Sequence, residues 1–233
     1  MAATNNAGVV PVTESPLTFD VKSPNPVCGD VLVVQLPMIY GASSMVSIQV
    51  FYSTASDSAG VTWLNANQTA GGVNPMVFTY SPYINGRAIA PQQDTPANRI
   101  TWGGCITTQN YLQPYMSANT TGVYQAFYGY YKTCFYNSVP AANYLMAAVV
   151  GDLQYQQIGE TTGIIAEPSV LASAAAEFDN IQAIVDTTEN FVQTPFIWGT
   201  YRIVVMPPSF PMGGASQPML SYISQTTIVG DKS

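Results

Sequence analysis

Residues 31–52 alternate apolar and polar positions and are interrupted by Gly41-Ala42-Ser43-Ser44, which predicts two strands, the second centred on Ser47-Ile48-Gln49-Val50-Phe51. Short β-branched and aromatic runs follow at residues 76–80, 99–107, 122–133 and 144–150, separated by Gly, Pro and Asn. That spacing predicts an all-β sheet assembly over the first two thirds of the chain. The period changes at Glu167-Pro168. Proline suits the first turn of a helix, where its missing N–H is not needed, and an Ala-rich stretch at 169–177 follows it. Phe178, Ile181, Ile184, Val185, Thr188, Phe191 and Val192 then recur at helical spacing, so one or two helices are expected over 168–192. Beyond Thr194-Pro195, residues 198–206 are nearly continuous in apolar side chains, as a strand buried on both faces would be. Pro207-Pro208 closes that strand, and residues 219–223 predict a last one.

The composition changes this picture mainly through what is scarce. Of 233 residues, 8% are charged, against roughly 25% in ordinary soluble domains. A net charge of −7 would repel a phosphate backbone, so nucleic acid is not expected as a partner. No His occurs, which removes the commonest zinc ligand and general base, and no apolar run reaches the roughly 18 residues of a membrane span. The first 23 residues are polar and interrupted by Pro, without the basic start and apolar core of a secretory leader.

Several stretches resemble the M1 family of zinc aminopeptidases, in the branch that includes leukotriene hydrolase. They are Gly60-Val61-Thr62-Trp63-Leu64 with Gln68-Thr69-Ala70-Gly71-Gly72, Arg87-Ala88-Ile89-Ala90-Pro91 with Gln93-Asp94-Thr95-Pro96, and Ala147-Ala148-Val149-Val150-Gly151 with Gln157-Ile158-Gly159. Trp198-Gly199, Pro207-Pro208-Ser209-Phe210-Pro211-Met212-Gly213-Gly214 and Gly230-Asp231-Lys232-Ser233 complete the set in the family's order. The resemblance implies a mainly β fold: an N-terminal extension over 1–30, a saddle-like β domain over 31–167, and over 168–233 a short α/β segment like the start of a thermolysin-like catalytic domain. The family's H-E-x-x-H zinc motif is not among these residues, so no metal, cofactor or catalytic residue is expected from them.

The family's substrate motif, G-G-M-E-N or G-A-M-E-N, corresponds here to Gly213-Gly214-Ala215-Ser216-Gln217, so Ser216 stands where the family's amine-binding carboxylate would be. A neutral hydroxyl cannot make the same charge-assisted contact. A second recognition stretch corresponds to Tyr80-Ser81-Pro82-Tyr83, where Pro82 offers no side-chain donor or acceptor. Gly213 and Gly214 are candidates for main-chain contacts to an extended peptide, or are simply a turn. Arg87 and Asp94 suggest an ion pair or turn cap rather than a general base. Glu177 and Asp179 read as a helix's solvated face, and Asp152, Glu160 and Asp186 as isolated carboxylates.

Cys28, Cys105 and Cys134 lack metal spacing. The family's sheet would bring Cys105 and Cys134 together, which implies either a disulfide or two buried thiols. Asn67-Gln68-Thr69 and Asn119-Thr120-Thr121 are N-glycosylation sequons. Tyr124, Tyr128, Tyr130 and Tyr131, within the aromatic cluster at 124–136, are interface candidates, with core packing and a sugar platform as alternatives. Together these features lead to an expected non-catalytic structural or assembly protein, a homo-oligomer or part of a larger complex at the cell surface or outside it. The alternatives are a peptide- or glycan-binding module using the old groove, and one piece of a zinc aminopeptidase completed by another chain.

Overall fold

The structure, a computed structural model, describes residues 15–25 and 29–231 and is mainly β. Cys28 and Lys232-Ser233 lie outside the described residues. The chain divides into two units, Met1–Phe51 and Tyr52–Ser233. In the first, β1 (Phe19–Asn25) pairs antiparallel with β2 (Gly29–Val34). The second strand expected at Ser47–Phe51 is not formed. Among the described residues no strand lies opposite it, and Met45 and Phe51 are 98% and 89% exposed, so its alternating pattern finds no partner there.

Among the described residues, three sheets and two α-helices build the second unit. The first sheet is antiparallel, in the order β3 (Val61–Leu64), β4 (Met76–Thr79), β9 (Ala148–Gly151), β6 (Gln113–Met116). The second is a long ribbon of β5 (Arg99–Gln109), β8 (Tyr130–Ala142) and β7 (Asn119–Phe127), with β8 in the centre. The run expected at 122–133 is therefore two strands, folded back at Tyr128-Gly129, where Gly129 takes φ 76°.

The third sheet is mixed, in the order β10 (Gln154–Gln157), β11 (Thr162–Ala166), β12 (Tyr201–Met206), β14 (Leu220–Ser224), β13 (Gly214–Gln217). Between β11 and its parallel neighbour β12 the chain forms α1 (Pro168–Glu177) and α2 (Ile181–Val192), the crossover that parallel strands require. Pro168 opens α1.

Both faces of the mixed sheet are buried against something, which is why β11 and β12 read as continuous apolar runs. Ile165, Val204, Met206, Leu220 and Tyr222 pack on Leu64, Met76, Phe78 and Val149 of the β3–β4–β9 sheet, joined by Phe210. Phe78, Phe210 and Tyr222 meet edge to face, with centroids 5.5 to 6.2 Å apart. On the opposite face Ile164, Ala166, Ile203 and Val205 pack on Val170, Ala174 and Ile181. The helical stripe is buried only at its start. Ile181 is 6% exposed, whereas Phe191 is 86% exposed. No helix among the described residues is long and apolar enough to cross a membrane.

Candidate functional site

Of the Gly213–Gln217 segment, Gly214–Gln217 form β13, the end strand of the mixed sheet, whose outer edge carries no further strand among the described residues. Its register against β14 fixes which main-chain groups are free. Ser224 N–H donates to Gly213 O at 2.9 Å, and Cα partners run Gly214↔Ile223, Ala215↔Tyr222, Ser216↔Ser221 and Gln217↔Leu220. Hydrogen-bonded and non-hydrogen-bonded pairs alternate in an antiparallel ladder. Ala215 and Gln217 therefore point their N–H and C=O at β14, while Gly214 and Ser216 point theirs outward. Beside this edge lies a shallow groove of about 350 Å³, lined by Tyr201, Ile203, Gly214, Ser216, Ser221 and Ile223. The Ser216 hydroxyl is 3.4 Å from that of Ser221, and no carboxylate lines the groove.

A residue that the pattern of the sequence did not single out holds this edge in place. Arg202 on β12 is largely buried. Its Nε and its backbone N–H both donate to Met219 O at 3.2 Å, and its Nη2 donates to Ala118 O at 2.9 Å and Met116 O at 3.2 Å. It thus ties the Pro218-Met219 turn, which sets β13 against β14, to the end of β6. Met219 takes φ 61° in that turn, a left-handed conformation unusual for a residue with a side chain, and is held there with its side chain 2% exposed. Burial lowers the Arg202 pKa, and nearby Tyr155 and Tyr115 oppose that shift. An apolar reading of β12 as simple core hides this role.

Two buried carboxylates are structural, and one of them, Glu177, was expected on a solvated helix face. Glu177 is 4% exposed and accepts from Gly230 N–H at 2.6 Å, so it is not part of a solvated helix face. Its position at the end of α1 faces a loop 53 residues onward, which helical periodicity cannot reveal. Glu167, also 4% exposed, accepts from Ala70 and Gly71 N–H. Asp94 pairs with Arg87 through Nε at 2.8 Å and accepts the Arg87 backbone N–H at 2.9 Å, combining ion pair and turn cap. Asp152 accepts from Asn74 and Asp186 from Gln182. No cluster of three or more His, Cys, Asp or Glu suited to a metal occurs among the described residues.

Cys105 and Cys134 stand directly opposite each other on β5 and β8 and are disulfide-bonded. The tyrosines do not form one surface. Register places Tyr124 and Tyr130 on the outward face of the ribbon with the disulfide, Phe127 and Tyr136, whereas Tyr131 lies on the opposite face beside Thr108. Tyr128 sits at the hairpin tip, 96% exposed. Asn67 lies in the one-turn 3-10 helix Ala66–Gln68, and Asn119 begins β7; both are exposed. Pro82 and Tyr83 occupy a tight turn in which Tyr83 takes φ 62°.

The mixed sheet with the Gly214–Gln217 strand at its edge, preceded by antiparallel β layers, is the arrangement that the comparisons match to aminopeptidases. The chain is 30% identical over 226 residues to leukotriene A-4 hydrolase of Xenopus laevis, covering 96% of this chain and 37% of that protein. It is 32% identical over 205 residues to aminopeptidase B of Mus musculus, covering 88% and 31%. The structure of native yeast LTA4 hydrolase superposes with a TM-score of 0.77 at 26% identity, over 93% of this chain and 33% of that one. No family model matches the chain. The chain is a homologue of the M1 aminopeptidases of the leukotriene hydrolase and aminopeptidase B group, and spans about a third of the length of these relatives.

Proposed function

We propose that this chain is a peptide-docking module of the aminopeptidase fold, which takes an extended segment as an added strand along β13 and performs no hydrolysis with its own residues. The observation that carries the reading is the outward pair of main-chain donors and acceptors at Gly214 and Ser216, next to an open groove. Strand addition needs only such groups for affinity and takes its specificity from neighbouring side chains. The 233 residues contain no His, so a His-based zinc site could be completed only by residues outside them. With Ser216 in place of a carboxylate, the peptide's amino terminus gains no charge-assisted contact here, and the module would accept internal segments as readily as free ends. Calorimetric titration with a short uncharged peptide and its N-acetylated form tests this. Comparable binding of the two supports the reading, and no binding of either refutes it.

Self-association is the second reading. It is favoured by the outward ribbon face, where Phe127 and Tyr130 stack with centroids 4.3 Å apart and Tyr124 and Tyr136 are 58% and 49% exposed. Few charges oppose contact between copies. Light scattering over a concentration series tests it, and a monomer throughout excludes it.

A further inference from the structure

β7 is a nine-residue edge strand with an unusual surface. Eight of its residues are exposed and only Gly122 is half-buried. The sequence Asn-Thr-Thr-Gly-Val-Tyr-Gln-Ala-Phe contains no charge and no Pro, the two commonest devices that stop an open edge from pairing with another chain. Two register shifts, between Thr120 and Gly122 and between Gln125 and Phe127, interrupt the ladder, yet the apolar and aromatic side chains remain uncovered. Such an edge calls for a cover. The sequon Asn119-Thr120-Thr121 lies at its first residues, all three of them exposed.

We infer that Asn119 is N-glycosylated and that its glycan is the cover of the β7 edge. Two independent features support this. The Cys105–Cys134 disulfide bridges two adjacent strands of the same ribbon, and disulfides form chiefly in oxidising compartments, which are also where sequons are modified. Local folding then favours Asn119 over Asn67. The Asn67 sequon lies in a one-turn helix in which Thr69 Oγ donates to Ala66 O at 2.7 Å, contacts that close within a few residues. Among the described residues β7 pairs only with β8, which is synthesised after it, so Asn119 and Thr121 leave the ribosome before their strand partner exists. In the folded ribbon Asn119 stands opposite Tyr136, so the first sugar leaves the protein beside that exposed ring and over the outward aromatic face.

The transfer forms a bond between Asn119 Nδ2 and C1 of the sugar. It breaks the C1–O bond of a polyprenyl diphosphate-linked oligosaccharide, which leaves as the polyprenyl diphosphate while the amide gives up one proton. The inference does not depend on peptide docking at β13. Association through the ribbon face is then a property of the bare protein.

The test is the full chain behind a cleavable secretory leader in a eukaryotic cell, in an Asn67→Gln background, with the product mapped by mass spectrometry. The expected result is a glycan on the Asn119 peptide, removed by peptide-N-glycosidase, lost in Thr121→Ala and retained in Thr121→Ser. The glycosylated protein should run as a monomer, and the enzymatically deglycosylated protein should associate at equal concentration. Translation into microsomes gives a gel-shift readout that needs no export. An unmodified Asn119 in either system overturns the assignment, and a deglycosylated protein that stays monomeric overturns the role as a cover.

Discussion

The Glu167 carboxylate accepts hydrogen bonds from Ala70 N–H at 2.7 Å and Gly71 N–H at 3.1 Å, nearly a hundred residues apart in sequence. Glu167 precedes Pro168, the first residue of α1, so one side chain fastens the start of the helical crossover to the loop after β3. Replacing it with Ala leaves part-buried amides without their acceptor, which costs roughly 1–3 kcal/mol. Glu167→Gln should lose less, because one oxygen remains. Chemical denaturation of both variants gives the comparison.

Arg202→Met is expected to be more damaging than the loss of a single hydrogen bond would be. It strips donors from the carbonyls of Met116, Ala118 and Met219 together. The expected loss is about 2–4 kcal/mol, on the scale of bonds to charged groups. Arg202→Lys should recover only part of this, since an ammonium lacks the planar fork. Hydrogen exchange would locate the loosening at the turn before β14.

Alkaline pH should destabilise the fold through Tyr222. Complete burial raises its pKa far above the ordinary value near 10, a hydrogen bond with Thr79 opposing the shift. In the unfolded chain the phenol ionises first. Stability is therefore intact below about pH 10 and falls above it, by about 1.4 kcal/mol per pH unit for this one group. Tyr222→Phe should flatten the alkaline limb. At neutral pH it should lose about 1 kcal/mol with the bond to Ala148 O at 3.0 Å. Urea melts from pH 8 to 11 would show both effects.

Reduction of Cys105–Cys134, which closes a separation of 29 residues, should lower stability by roughly 3–4 kcal/mol on the loop-entropy account. A non-reducing peptide map would check the linkage, and melting with and without reductant the magnitude.

Restoring a carboxylate at the edge should alter which peptide ends are preferred. Ser216→Glu is expected to favour free-amine over acetylated peptides by about tenfold or more, because a charge-assisted bond contributes about 1.5–3 kcal/mol. Parallel titrations of the two peptides would measure the ratio.

Pattern carried the reading wherever one element decides its own conformation. Pro168 marks α1 because the constraint is local, and residues 198–206 contain β12 because burial on both faces demands a continuous apolar run. The motif residues Gly213 and Gly214 pointed to the edge through a resemblance, not through any strand signal, since Gly-Ala-Ser-Gln has no apolar alternation. Partnership across the chain was illegible. Ser47–Phe51 alternates like a strand and has no strand partner among the described residues, Glu177 looks solvated and is buried under Gly230, and Arg202 looks like an interruption in an apolar strand and organises three carbonyls. For Glu177 and Arg202 the deciding groups lie tens of residues away.

In the proposed docking mode, β13 receives an extended peptide through its outward main-chain groups. Amide hydrogen exchange at Gly214 and Ser216, measured with and without a saturating uncharged peptide, tests it most directly. Fast exchange in the free protein that slows at Gly214 and Ser216, with Ala215 and Gln217 already protected by β14, is the predicted result. Unchanged exchange at Gly214 and Ser216 under conditions where the peptide is bound would contradict it.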